Sequence, residues 1–301
     1  RNLIIVAIVI VLIGAGAAWL VYPFIRYSSH TLAYRSALSE NAYYQFPIQY
    51  SEEGWFLIDC IINGTHKVPL RIDTQATSLM RKDSIQAYGG EYWGNLPIES
   101  TNAYQEKNSP ELYTFTSISF GETSIQEPMF NGICKDNIIY DVIDEGIFGT
   151  EMLAIGTWKF DTEAGTMTLF HSNNKDLLAK ETTGMIYFPQ GLREDSIPVY
   201  MEGVNEEVCF TLDLGYAGVL EINNALADRL KTHFHYEEKI IRHGEELTDT
   251  LSIFKIPVTI AGTRVDSCEV VNSRVVNANY IGAEFMHRCD FVLHYSLNEH
   301  G

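Results

Sequence analysis

Two stretches of the chain repeat the same order of apolar and polar positions, and each predicts a β-hairpin that ends in an aspartate. In the first, an apolar run at residues 55–62 is followed by Asn-Gly at 63–64, a typical hairpin turn, and by a returning strand that ends at Asp73. In the second, two apolar strands flank a turn near Gly203 and end at Asp213. The pattern predicts a mostly β fold in which each of two similar units supplies one aspartate.

Each unit then closes with a second matching motif, which reads apolar-apolar-Gly-x-Glu-apolar-apolar. Its glycine is Gly149 in the first unit, 76 residues after the aspartate, and Gly282 in the second, 69 residues after it. Landmarks that agree in order and in near-equal spacing indicate an internal duplication. We interpret the acidic positions, Glu151 and Glu284, as carboxylates at helix starts, where the helix dipole favours negative charge.

The N-terminal segment has a different pattern. Residues 3–25 contain no charged side chain, and at about 1.5 Å per residue a helix of this length crosses a hydrocarbon core of roughly 30 Å. Trp19 and Tyr27 lie near one end, and Arg26 marks the boundary to water. A cleaved signal peptide is the alternative, but the run is longer than a typical signal core and no clear Ala-x-Ala site follows.

These patterns divide the chain into four predicted segments. One span near the N-terminus usually leaves the bulk of a protein outside the cytoplasm, so we predict a single-pass membrane protein with its soluble part in an extracytoplasmic space such as the bacterial periplasm. The segments are a transmembrane helix at 1–27, a connector at 28–41, an N-terminal lobe at 42–178 and a C-terminal lobe at 179–301.

Charge and cysteine content exclude several classes of function. The chain has 21 basic and 39 acidic residues and a net charge of -18, which disfavours binding to nucleic acid. The five cysteines are widely spaced and form no zinc pattern. His233 and His235 do not share a helix face and come without a third ligand, so no metal site is predicted.

The paired landmarks resemble those of bacterial pepsin-like and retropepsin-like aspartyl proteases. In that family an apolar strand delivers Asp-Thr/Ser-Gly, and a later apolar-apolar-Gly segment lies beside that loop. The resemblance covers roughly residues 55–295 and implies a bilobal aspartic-protease-like fold. The matching segments are Ile72-Asp73-Thr74-Gln75-Ala76, Leu212-Asp213-Leu214-Gly215-Tyr216, Ile147-Phe148-Gly149 and Tyr280-Ile281-Gly282.

The resemblance implies a catalytic pair, Asp73 and Asp213, that shares one proton and titrates as a unit. The ionised carboxylate would take a proton from water, and the protonated one would polarise the scissile carbonyl of a peptide held between the lobes. No cofactor is needed. The family also implies a flap hairpin in the first lobe that often carries a tyrosine, and Tyr104 and Tyr113 both lie at suitable distances after Asp73.

Both aspartate loops depart from the family pattern, which leaves two functions open. The first loop keeps Thr74 but has Gln75 in place of glycine, and the second keeps Gly215 but has Leu214 in place of a hydroxyl residue. Gln75 could displace the attacking water or swing outward, and Leu214 cannot form its half of the hydroxyl lock between the loops. The chain is therefore predicted to be either a membrane-anchored aspartic endopeptidase or an inactive relative that binds a peptide or serves as a scaffold subunit of a membrane complex.

Overall fold

The computed structural model describes residues 21–101, 107–189, 196–204, 206–242 and 247–295, and β-strands are the predominant secondary structure in this part of the chain. The prediction of a mostly β fold is thus confirmed. In the first half the strands are β1 (Tyr43–Pro47), β2 (Gln49–Tyr50), β3 (Phe56–Ile62), β4 (His66–Ile72), β5 (Leu79–Arg81), β6 (Glu91–Asn95), β7 (Ser100–Thr101), β8 (Lys107–Asn108), β9 (Glu111–Thr114), β10 (Ser117–Phe120), β11 (Thr123–Gln126), β12 (Met129–Ile133), β13 (Gly146–Phe148), β14 (Thr157–Asp161) and β15 (Thr166–Phe170).

The second half has fewer and longer strands, and short helices separate the strands of both halves. The strands are β16 (Ile197–Met201), β17 (Glu207–Leu212), β18 (Leu220–Glu221), β19 (Phe234–Arg242), β20 (Leu247–Ile260), β21 (Thr263–Ser273), β22 (Tyr280–Ile281) and β23 (Phe291–His294). The α-helices are α1 (21–33), α2 (Lys82–Ala87), α3 (Thr150–Leu153), α4 (Lys175–Glu181), α5 (Asn224–Arg229) and α6 (Ala283–Met286), and 3-10 turns lie at Tyr34–Ala37 and Lys231–His233.

Each half of the chain builds its own large sheet. Within the described residues, the first sheet runs β11-β10-β3-β4-β13-β5-β12-β9-β6, with β2 beside β3, and the second runs β16-β17-β22-β18-β21-β20-β19. The first hairpin turn is made as the sequence predicts, since Asn63 and Gly64 both have positive φ angles of 50° and 69°. In the second sheet β16 also pairs with β20, so this sheet curls back on itself.

The same three-strand arrangement lies at the centre of both sheets. In the first, β13 runs parallel to β4 on one side and antiparallel to β5 on the other. In the second, β22 runs parallel to β17 and antiparallel to β18. The closing glycine motif of each half therefore inserts between the strand that leads to the aspartate and the strand that leaves it, which gives the repeated landmarks of the sequence their structural role.

A third sheet joins the two halves. Its order is β1-β15-β14-β23, so that the last strand of the chain pairs with a strand of the first half. Phe160 of β14 and Phe291 of β23 stack with their ring centroids 4.3 Å apart. One continuous apolar core extends through both halves, and burial on this scale is the main favourable term in folding. The two units are thus held together by strand pairing as well as by packing.

The N-terminal region contacts the first lobe. Helix α1 and the following 3-10 turn cover residues that were predicted to lie partly in a free connector, yet Tyr34 and Leu38 are buried in the main core. Among the residues that the structure describes, no helix is both long and apolar enough to cross a membrane. Residues 1–20, which hold most of the predicted transmembrane helix, lie outside the described residues.

Candidate active site

Strand geometry brings the two aspartates to equivalent positions. Asp73 follows the last residue of β4, and its backbone N–H donates to the carbonyl of Phe148 on β13 at 3.2 Å. Asp213 follows the last residue of β17, and its backbone N–H donates to the carbonyl of Ile281 on β22 at 2.9 Å. Each aspartate is therefore fixed by the apolar-apolar-Gly motif of its own half.

The closing motifs require glycine because of how tightly they press on the aspartate loops. A Cβ atom on Gly149 would lie 2.4 Å from the carbonyl carbon of Thr77, and one on Gly282 would lie 2.1 Å from the carbonyl oxygen of Gly218. Real Cβ atoms do not approach backbone so closely, so any other residue would push the aspartate loop away. This contact is the physical reason for the repeated glycine.

Each aspartate turns one carboxylate oxygen into its own loop. Oδ1 of Asp73 accepts hydrogen bonds from the backbone N–H groups of Gln75 at 2.8 Å and Ala76 at 2.9 Å. Oδ1 of Asp213 accepts one from the N–H of Gly215 at 2.8 Å. The remaining oxygen of Asp73 faces the other half of the molecule, because a Cβ atom on Gly215 would lie only 2.1 Å from Asp73 Oδ2. The side chain of one aspartate thus lies directly against the loop of the other.

The position of the two carboxyl groups affects the pKa of Asp213. Asp73 is 7% exposed and Asp213 is partly exposed. Burial first, and then the charge of Asp73, raise the pKa of Asp213 to about 8, although the Gly215 N–H and the Arg71 guanidinium act in the opposite direction. Two carboxylates in such a site do not both ionise readily, so one proton remains on the pair at neutral pH. Burial and the charge of Asp73 also raise the pKa of the Tyr295 hydroxyl.

The two aspartate loops are joined by hydrogen bonds to side chains of the first loop, a contact that we call the cross-lobe lock. Thr74 Oγ1 donates to the carbonyl of Leu212 at 3.0 Å and accepts from the N–H of Leu214 at 3.1 Å. Leu214, which cannot return these bonds, is fully buried. The side-chain amide of Gln75 crosses to the same Leu212 carbonyl at 2.9 Å. The first loop therefore supplies the hydrogen bonds of the lock, and the second supplies an apolar side chain.

A second contact between the halves, which no sequence pattern indicates, is formed by Trp55 and Arg71. The Trp55 indole N–H donates to the carbonyl of Gly215 at 3.2 Å. The guanidinium of Arg71 lies 4.4 Å from the centre of the same indole ring and donates to the carbonyl of Val142 at 3.2 Å. A cation over an indole face is attracted by the ring quadrupole. Trp55 and Arg71 therefore brace the second loop from the first lobe.

The flap candidates have separate outcomes. Strands β6 and β9 pair antiparallel in the first lobe, and Tyr104 falls within residues 102–106, outside the described part of the chain. The ring of Tyr113, on β9, covers Gly132 of β12, where a Cβ atom would lie 2.6 Å from Tyr113 Cε2. Its hydroxyl donates to Glu111 at 3.1 Å. Tyr113 is thus engaged in packing within the first sheet.

Comparisons with known proteins give a distant structural likeness. No family model matches the chain, and no curated protein sequence matches it. Among solved structures, the chain is similar to the crystal structure of a retropepsin-like aspartic protease from Rickettsia conorii, at 18% sequence identity and a TM-score of 0.31. The match covers 44% of this chain and 94% of the other. A likeness of this extent says nothing about activity, which has to be argued from the aspartates themselves.

Proposed function

We propose that this protein is an aspartic-type endopeptidase that hydrolyses extended peptides in the cleft between its lobes. The observation that carries the proposal is the placement of Asp73 against the Gly215 loop, beside an Asp213 whose pKa is raised enough to retain a proton at neutral pH. One ionised and one protonated carboxyl group are the two groups that hydrolysis of an amide by water requires.

The roles of the two groups follow from this charge state. The ionised carboxylate takes a proton from a water molecule as its oxygen attacks the peptide carbonyl, and the protonated group donates a hydrogen bond to the carbonyl oxygen. The carboxyl group that took the proton from water then passes it to the leaving amine nitrogen, and the C–N bond breaks. The Gln75, Ala76 and Gly215 N–H groups hold the inner oxygens fixed, so the outer oxygens remain for this chemistry.

We further propose that the N-terminal apolar segment, up to the point where Phe24 packs on the first lobe, anchors the protein in a membrane and that the two lobes lie in an extracytoplasmic space. Support comes from the uncharged stretch at residues 3–25. The lobes themselves carry the excess of acidic residues, which keeps them soluble and away from nucleic acid. Substrates or partner subunits in the same membrane would then be within reach of the cleft.

A second candidate function rests on the same loops. In a non-catalytic scaffold subunit the cleft would bind a peptide without cutting it, and the aspartates would serve the hydrogen bonds of their loops. The observation that favours this alternative is the presence of side chains at Gln75 and Leu214, where the family pattern has glycine and a hydroxyl residue. Both loops nevertheless keep their backbone hydrogen bonds to the aspartates.

The test is cleavage of a diverse peptide library by the full chain in detergent, measured from acidic to neutral pH. We expect cleavage that is lost in Asp73→Asn and in Asp213→Asn. Asp228→Asn is the matched control, since it removes an exposed carboxylate on α5 in the same lobe as Asp213. Absence of cleavage at every pH by the folded wild-type chain would reject the endopeptidase and favour the scaffold.

A further inference from the structure

Helix α1 is attached to the first lobe by specific polar and aromatic contacts. The Arg26 guanidinium lies 4.1 Å from the centre of the Trp93 ring. His30 Nε2 is 2.7 Å from the carbonyl oxygen of Glu127. The helix also packs against a small apolar cluster of the first sheet. That cluster consists of Leu96, Leu112 and Met129, with Phe24 and Tyr27 of the helix packed on it.

A further contact of the helix, made by Tyr27, leads towards the Asp73 loop. The Tyr27 hydroxyl donates to Oε1 of Glu151 at the start of α3. Oε2 of Glu151 accepts from the Ser78 backbone N–H at 3.0 Å and lies 3.3 Å from the Ser78 hydroxyl. Burial and the charge of Glu151 raise the pKa of the Tyr27 hydroxyl, which therefore remains a proton donor. Glu151 thus joins a residue of the N-terminal helix to a residue just beyond the catalytic loop.

Ser78 is the point where that loop is held at its far end. It lies five residues after Asp73 and is 3% exposed. Its hydroxyl accepts from the N–H of Gly149 at 3.2 Å, and two residues earlier the carbonyl of Ala76 accepts from the N–H of Thr150 at 2.9 Å. Movement of Ser78 would therefore be passed to the backbone that donates to Asp73.

Among the residues of the second lobe that the structure describes, no equivalent of this connection is found. The residue five positions after Asp213 is Gly218, which has no hydroxyl group. Glu284, the counterpart of Glu151, is bonded instead to Arg288 on the solvent side at 3.0 Å. The duplicated motif thus keeps its glutamate in both halves, but only the first half uses it to join the aspartate loop to another element. Both glutamates lie in the first turn of a short helix, as predicted, and Glu151 in addition joins Tyr27 to Ser78.

We propose that Tyr27 and Glu151 are positioning residues for the Asp73 loop, so that helix α1 is a working part of the active lobe rather than a tether beside it. The inference rests on the proposed catalytic role of the pair. Loss of the connection would loosen Ser78, which among the described residues then keeps only its bonds to Gly149 and Asn131, and would let Asp73 move away from Asp213 and weaken the charge interaction between them. Because Arg71 also faces Asp213, the remaining interaction would favour ionisation of Asp213.

The experiment measures the aspartate pair directly. Carboxyl titration by NMR on the full chain labelled with carbon-13 aspartate follows Asp213, whose signal is identified by its loss in Asp213→Asn. We expect the upper pKa of the pair to fall by about half a pH unit or more in Tyr27→Phe and in Glu151→Ala. Glu151→Gln should restore part of the wild-type value, because its amide oxygen can still accept from Ser78. We expect the rate constant kcat to fall about tenfold in Tyr27→Phe.

Two variants serve as controls for general loosening of the structure. Tyr34→Phe removes a hydroxyl that bonds only backbone groups of Met129 and Glu127, and Glu284→Ala removes the matching carboxylate of the second lobe. Both should keep the wild-type titration. An unchanged upper pKa in Tyr27→Phe would overturn the proposal, whether or not the chain cleaves peptides. If the wild-type chain cleaves no peptide but the variants show the expected changes in titration, the endopeptidase is rejected and the positioning role stands.

Discussion

Gln75 donates its side-chain amide to the main-chain carbonyl of Leu212, across the boundary between the lobes and one residue before the second aspartate. The hydroxyl of Thr74 donates to the same carbonyl oxygen. Gln75, which stands where a glycine is expected, is therefore part of the contact that holds the two aspartate loops together. Four predictions follow from this arrangement and from the acidity of the pair.

Thr74 should contribute more to stability than Gln75, since it makes two cross-lobe hydrogen bonds and Gln75 makes one. At about 1 kcal/mol for each bond, Thr74→Val should lower the free energy of unfolding by about 2 kcal/mol and Gln75→Ala by about 1 kcal/mol. Urea denaturation measures both. Gln45→Ala, which removes a surface amide bonded to Thr166, is the control and should have little effect. Equal losses for Gln75→Ala and the control would contradict the role of Gln75.

Placing a hydroxyl residue at position 214 should destabilise the protein. Leu214 is fully buried, so Leu214→Thr removes apolar contacts and places a hydroxyl group in an apolar site, at a cost of about 2 to 3 kcal/mol. Leu214→Val is the matched control and should cost about 1 kcal/mol. Chemical denaturation of the two variants separates the effects. If Leu214→Thr were more stable than Leu214→Val, burial of the apolar Leu214 side chain could not be what stabilises this contact between the lobes.

Gly215 should tolerate no side chain, because a Cβ atom there would collide with Asp73 Oδ2. We expect Gly215→Ala to lower peptide cleavage by about a hundredfold or more, since a displacement of 1 Å in a catalytic group has an effect of this order. Gly165→Ala is the control, at a turn where the backbone is left-handed but nothing lies within 4 Å. Steady-state kinetics on both variants, with circular dichroism as a check of folding, provide the measurement. Retained activity in Gly215→Ala would mean that Asp73 does not need its present position.

The raised pKa of Asp213 makes stability depend on pH with a definite sign. The fold favours the protonated form, so this contribution is fully present below the unfolded pKa of 3.8 and is lost as pH rises through the folded value of about 8. Asp213→Asn cannot ionise and should therefore gain stability relative to wild type between pH 4 and pH 8, by at most about 1.4 kcal/mol per pH unit. Urea denaturation across this range measures the difference. A constant difference across the range would show that the pKa is not raised, and Asp228→Asn should show no such trend.

The backbone of the site could be predicted from the sequence because its determinants are local and repeated. An apolar strand, the aspartate that ends it and a closing glycine are short patterns, and their recurrence fixed which positions of the two halves correspond. The mostly β fold followed from the same alternation of apolar and polar residues.

What sequence reasoning missed depends on contacts between distant segments. Trp55 reads as the start of an ordinary strand, and nothing near it in the chain indicates that its indole N–H reaches Gly215, 160 positions away. Glu151 reads as a residue at a helix start, and its bond to Tyr27 spans 124 positions. The side-chain amide of Gln75 bonds the Leu212 carbonyl, an acceptor in the other half that no pattern near residue 75 indicates. Tertiary contacts of this kind leave no periodic signal.

The joining of both halves in one chain, through the sheet in which β23 pairs with β14, has a consequence for how the site can evolve. In a two-fold homodimer every substitution appears on both sides, so a leucine at the lock position would remove both hydroxyl groups at once. Here each half is a separate part of one chain, so a substitution affects only one of the two aspartate loops. Leu214 could therefore be accepted while Thr74 kept its hydroxyl. The two halves are free to specialise, and mutations in one loop can be compensated by residues of the other.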